Sequence, residues 1–149
     1  MILVKKGDDM NHPSRKHSKK REAILDVLRS TTEHPSADWV YSRLKPLYPD
    51  LSLGTVYRNL NLFLETGEII SVGTVAGQER FDANVQPHPH FICTACHRVI
   101  DLDLAFSAAD HYRDIENSIG GLVKSECVSF TGLCSHCVNT PEMSDASNI

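Results

Sequence analysis

The residues whose types and spacing could do chemistry in this 149-residue chain are two Cys-x-x-Cys pairs, Cys93/Cys96 and Cys134/Cys137, and one His-x-His pair, His88/His90. A Cys-x-x-Cys turn grips one metal ion with two thiolates, and two such turns supply the four sulfurs of a tetrahedral structural Zn2+ site. Four reduced core cysteines, or a dithiol redox pair, are the competing readings, but the redox motif belongs beside a βαβ unit, which the flanking pattern does not offer. Cys127 has no partner in sequence and reads as a buried core thiol. In the His pair, residues two apart in an extended segment share one side, and Pro87 and Pro89 stiffen that segment. Two imidazoles held this way invite a cation. Asp82, Asp101 and His34 are candidate further ligands, and such a mixture of imidazoles and carboxylates suits Fe2+ or Mn2+ better than Mg2+ or Ca2+. Spacing leaves plainer readings open for these three: His34 before a proline as a turn residue, and Asp82 and Asp101 as charges at strand ends.

The elements that must position these residues fall into two groups. From Ser18 to Ser30, Ile24, Leu25, Val27 and Leu28 recur on one helical face, with Lys19, Lys20 and Arg21 at its start. Ser36 is the natural cap of a second helix carrying Ala37, Val40, Tyr41 and Leu44. Ser52 caps a third, whose stripe of Leu53, Val56, Leu60, Phe63 and Leu64 ends where Gly67 can take a left-handed conformation. Thr55, Arg58 and Asn61 then share its exposed face. Strands over 68–72 and 78–82, joined around Ala76-Gly77, complete a winged helix-turn-helix. Beyond residue 84 the pattern predicts strands over 90–93, 98–102 and 122–130 and an amphipathic helix over 104–119. The fold class is therefore α+β.

Charge divides the same way. Residues 1–61 carry 11 Lys+Arg against 7 Asp+Glu, and residues 62–149 carry 4 against 12, so the front half alone suits a polyanion. On the third helix, Arg58 is the candidate for a guanine edge, Tyr57 for a thymine methyl or a phosphate, and Thr55 for the DNA backbone. Lys19, Lys20 and Arg21 would add charge against phosphates or the minor groove. For Tyr57 the alternative is core packing beside Val56, and for the lysines a solvated face. Five cysteines without an export signal, and no apolar window near membrane-span length, predict a reduced, cytoplasmic protein with no membrane partner.

Taken together, His34-Pro-Ser-Ala-Asp, Leu53-Gly-Thr-Val-Tyr-Arg-Asn-Leu, Gly67, Arg80-Phe-Asp82, His88-x-His90 and the two cysteine pairs resemble the ferric uptake regulator family of metal-dependent transcription repressors. Asp82 and Asp101 look most like its peroxide-sensing branch, whereas Arg58 is more typical of the iron-responsive branch. The resemblance implies a homodimer on double-stranded operator DNA, with residues 1–17 a flexible arm, 18–83 a winged-helix DNA-binding domain, 84–138 a dimerisation and metal-sensing domain, and 139–149 a disordered tail. It implies Zn2+ at the four cysteines and a regulatory Fe2+ or Mn2+ held by His34, Asp82, His88, His90 and Asp101. It further implies that peroxide oxidises a histidine ligand, His34 or His88, and releases the repressor. The alternative within the family is an iron- or manganese-responsive repressor of metal uptake. An oxygenase built on His88, His90 and one aspartate is a different class, but a chain of this length committed to a winged helix has no room for the barrel pocket such chemistry needs.

Overall fold

The computed structural model describes residues 18–105 and 109–140; the expected arm and all but the first two residues of the expected tail lie outside the described residues. Three helices come first: α1 (Lys19–Arg29), α2 (Ala37–Leu44) and α3 (Leu53–Thr66). Ser36 and Ser52 cap α2 and α3 by accepting the backbone N–H groups of Trp39 and Thr55. Gly67, at φ 75°, ends α3 in the left-handed region that glycine enters without steric cost. Ile24, Leu28, Val40, Leu51, Val56, Leu60 and Phe63 close a core between the helices, and Ile69 and Phe81 join it from the hairpin that follows.

That hairpin pairs β1 (Ile70–Val75) with β2 (Gln78–Asp82). Its two-residue turn has positive φ at both Ala76 and Gly77, the geometry that matches strand twist. Because so short a turn demands pairing right up to it, β1 starts and ends later than the expected 68–72. Val72 and Val75 of β1 pack on Val99 and Ile92, so the wing leans on a second, three-stranded sheet.

The second sheet has the order β4-β3-β5, from β3 (His90–Cys93), β4 (Val99–Asp101) and β5 (Ser129–Gly132). β3 runs antiparallel to β4 and parallel to β5. The register places His90 directly opposite Asp101, so the two side chains share a face of the sheet. A short α5 (Ser135–Val138) is the last described element, one absent from the sequence reading.

Two expectations need correction. The last strand is confined to 129–132 rather than 122–130, because its partner β3 begins at His90, opposite Ser129, and residues 122–128 run past the end of that pairing. Cys127 lies on this stretch and is exposed, not a core thiol. Of the expected helix over 104–119, residues 106–108 lie outside the described residues, residues 104–105 are not helical, and α4 (Tyr112–Ile119) follows a 3-10 turn, Ala109–His111. Leu104 lies outside any helix and is exposed, and Ile115 and Ile119 of α4 also face solvent. Among the described residues, nothing in the chain covers the apolar face of α4.

Candidate metal centres

The first centre forms where β3 ends. Cys93 N–H bonds the carbonyl of Arg98, and His97 N–H returns to the carbonyl of Cys93, both at 2.9 Å, so the chain makes a tight knuckle around Cys96. From the other side, Thr94 N–H and Oγ1 both reach the carbonyl of Gly132, which brings in the turn after β5. Cys134 sits at the N-terminus of α5 and Cys137 inside it. One sulfur from each of the four cysteines lies within 4.8 Å of the others. The Sγ atoms of Cys96 and Cys134 are 3.8 Å apart, and metal–sulfur bonds of about 2.3 Å would put tetrahedral sulfurs about 3.8 Å apart.

Without an ion, the thiols differ sharply in how readily they ionise. Backbone N–H groups of Cys96 and Cys134 hold the Cys93 thiol down to about 5, while burial and the neighbouring sulfurs push Cys137 up to about 12. Four thiolates cannot stand this close unless a divalent ion offsets their repulsion.

The second centre draws on three separate parts of the chain. His34 follows α1 in a turn with φ 51°, a conformation that histidine enters more readily than most non-glycine residues. Strand β2 holds that turn, since Phe81 N–H bonds the carbonyl of Pro35. Asp82 ends β2, and its Oδ1 accepts Asn84 N–H at 2.7 Å, which aims Oδ2 inward. His88 Nδ1 lies 2.7 Å from the carbonyl of Gln86. A carbonyl only accepts, so Nδ1 carries the proton and Nε2 offers its lone pair to the site. His90 and Asp101 complete the group from facing strands.

All three Nε2 atoms meet both carboxylates. His34 Nε2 is 2.6 Å from Asp101 Oδ1 and 3.5 Å from Asp82 Oδ2. The same two oxygens stand 3.0 and 3.1 Å from His88 Nε2, and 3.4 and 3.3 Å from His90 Nε2. Bonds of about 2.1 Å in a five- or six-coordinate centre would place neighbouring donors about 3 Å apart. His34 and His90 are essentially fully buried, yet Nδ1 of each has no hydrogen-bond partner, and His34 Nε2 has the two carboxylate oxygens as its only polar neighbours among the described residues. Buried polar atoms are rarely left so. A divalent ion bound by three nitrogens and two oxygens would engage the inward-facing Nε2 of His34 and balance both carboxylates.

Without an ion, protons take its place. Burial opposes charge on His34, but the hydrogen bond and charge of Asp82 and the charge of Asp101 outweigh it and raise its pKa. His88 is raised likewise, against burial, by the Gln86 carbonyl and Asp101. Asp82 is held well below the usual carboxylate range by His34, His90 and the Asn84 amide, despite its burial. The metal-free protein therefore gains stability from His34 and His88 below their ordinary value of 6.5, and loses it as pH rises through the raised values. Metal affinity runs the opposite way, because both imidazoles must lose a proton to ligate. Mn2+ affinity is expected to fall by up to about a hundredfold per pH unit below the raised values, the limit for two displaced protons. Titrations of Mn2+ at about pH 8 and pH 6 would check this, and a pH-independent affinity would remove both histidines from the site.

The candidate DNA-contacting residues gather at the start of α1 and the first turns of α3. Arg58 Nη2 donates to Thr55 Oγ1 at 3.1 Å, and Tyr57 is 43% exposed, which removes the core-packing reading. Lys20 is 2.5 Å from Asp50 Oδ2, so it joins α1 to the loop before α3, and a phosphate would compete with Asp50 for it. Sequence reasoning missed Asn59, which donates to the carbonyl of Thr55 and accepts from Arg21 Nε at 3.1 Å, tying Arg21 to the third helix. Its place one turn beyond Thr55 was the available signal.

Residues 13–118 match the profile of the Ferric uptake regulator family, seven-tenths of the chain. The chain belongs to the ferric uptake regulator family. A curated family member from Staphylococcus epidermidis, named peroxide-responsive repressor PerR, is 32% identical over 122 residues, covering 78% of this chain and 77% of its own length. The crystal structure of a Campylobacter jejuni peroxide stress regulator superposes with TM-score 0.63 at 31% identity, over 79% of this chain and 88% of that one. A zinc uptake regulator solved with zinc and DNA superposes with TM-score 0.64 at 25% identity, over 81% and 82%. As in the sequence reading, the family fold is a mixed α+β one. No described helix is long and apolar enough to cross a membrane.

Proposed function

We propose that this family member is a homodimeric, metal-dependent repressor that binds operator DNA and senses peroxide through oxidation of a histidine ligand. The observation that carries the reading is the meeting of His34, Asp82, His88, His90 and Asp101 within 4.8 Å. His34 comes from the turn before α2, Asp82 from the wing, and the other three from the second sheet and its approach. Residues 18–83 act as the DNA-binding unit and 84–138 as the dimerisation and metal-sensing unit. An ion shared between them fixes their angle, and with it the separation of the two α3 helices of a dimer on successive grooves. Cys93, Cys96, Cys134 and Cys137 hold Zn2+, which closes the ends of the second unit.

Lys20, Arg21, Thr55, Tyr57 and Arg58 face the duplex, and a second copy of the chain covers the apolar face of α4 together with exposed Leu122 and Phe130. The names of the Staphylococcus and Campylobacter relatives support peroxide as the signal. Fe2+ held there would lend peroxide an electron and recover it from the ring that is oxidised, whereas Mn2+ would support repression without that sensitivity. His34 and His88 lie against both carboxylates, where one peroxide oxygen can end on an imidazole ring and the other leave as water. An oxidised ring is a poor ligand, so the joint between the units loosens.

Peptide mass mapping of iron-loaded protein after brief peroxide exposure tests the proposal. One added oxygen atom on a peptide containing His34 or His88, absent when Mn2+ is loaded, is the expected result. Iron-loaded protein without that adduct would leave an iron- or manganese-responsive repressor.

A further inference from the structure

One guanidinium reaches both metal centres. Arg80 lies on β2 two residues before Asp82, and so on the same face of the strand. Its Nη1 donates to the carbonyl of His34 at 3.1 Å and its Nη2 to the carbonyl of His97 at 3.4 Å. The first carbonyl belongs to a residue of the five-ligand group. The second belongs to the residue after Cys96, whose own N–H is bonded to the carbonyl of Cys93. His34 and His97 are two of only three non-glycine residues with positive φ among the described residues, at 51° and 60°. Such turns persist only where the surroundings hold them, and here one side chain supports both. Nε of Arg80 is buried without a partner, which leaves the two outer nitrogens of the fork to hold the group in place.

We propose that Arg80 is a positioning residue that couples the two centres. An ion at the five-ligand site holds the His34 ring, the His34 carbonyl holds the guanidinium, and the guanidinium holds the His97 turn in the shape that keeps the four sulfurs together. Occupancy of one centre then protects the other, and by linkage the protection is reciprocal. This rests on the reading of both clusters as metal sites. The fork is essential, because lysine carries its charge at one point and cannot bind two carbonyls facing it from different units.

The test uses full-length, zinc-loaded protein treated with a thiol-modifying reagent, with and without Mn2+ at a concentration shown to saturate each variant. Modification of Cys93, Cys96, Cys134 and Cys137 is followed by peptide mass mapping, with exposed Cys127 counted separately. Mn2+ is expected to slow modification by about fivefold or more in the unaltered protein, and by less than about twofold in Arg80→Met and Arg80→Lys, although both still bind the ion. A merely structural arginine would speed modification equally with and without Mn2+, and a preserved ratio in both variants would overturn the proposal. So would unaltered protein that binds Mn2+ without any protection of its cysteines. If Arg80→Met does not fold, Arg80→Lys, which keeps the charge and the length, carries the comparison alone. Unaltered protein that holds no zinc, or takes up no Mn2+, would overturn the metal-site reading itself and the coupling with it.

Discussion

His34→Ala is expected to abolish the metal-dependent gain in DNA affinity while zinc and the dimer remain. His34 is the one member of the five-ligand group that lies ahead of α3, and its ring is buried against both carboxylates. Losing even an outer partner of a metal ligand lowers affinity by about 10–100-fold, and loss of a ligand should exceed that. With the ion no longer shared between the units, the coupling of metal to DNA, typically about 1–3 kcal/mol in allosteric proteins, should fall away. Alanine at φ 51° also strains the backbone. His34→Gly separates the two effects, since glycine accepts that conformation while likewise lacking the ring. Mn2+ titration and salt-controlled DNA binding, with and without the ion, are the measurements. Unchanged metal-activated binding in both variants would take His34 out of the site.

Cys96→Ser should cost more, and in a different part of the molecule. Cys96 is exposed, so the exchange of sulfur for oxygen disturbs little packing. Its consequence is the loss of one of four thiolates, and structural zinc contributes about 10–16 kcal/mol to the folding of small modules. The three-stranded sheet has a small share of the buried apolar residues, chiefly Val99 with Val72 and Val75 of the wing. The helical unit has its own core around Leu60, Phe63 and Phe81. Thermal melting of the variant should therefore show the helical transition surviving while the second unit and the dimer are lost. A variant that kept one zinc per subunit and an unaltered melt would count against the zinc as a staple.

Much of this was legible in short stretches of sequence. Ser36, Ser52 and Gly67 mark helix ends because capping is settled within a few residues, and the structure places all three where that chemistry requires. The Cys-x-x-Cys turns and the His88/His90 pair were readable because both partners lie within one turn or one strand side. The stretch over 122–128 was misread as strand because its apolar residues satisfy the strand pattern, while pairing depends on how far β3 extends. The helix over 104–119 was overextended at its start for a related reason: periodicity reports which residues could share a face, and among the described residues Leu104 finds no surface to bury it.

The residue types themselves determined which chemistry to expect: four sulfurs suited to zinc, imidazoles with carboxylates suited to a redox-capable divalent ion, and a basic leading half suited to a polyanion. What only the tertiary structure decided was company. The register that sets His90 across from Asp101, the turn that turns His34 inward and the reach of Arg80 to two carbonyls all join residues far apart in the chain. Such meetings depend on how sheets and helices pack, and no spacing within a local window encodes them.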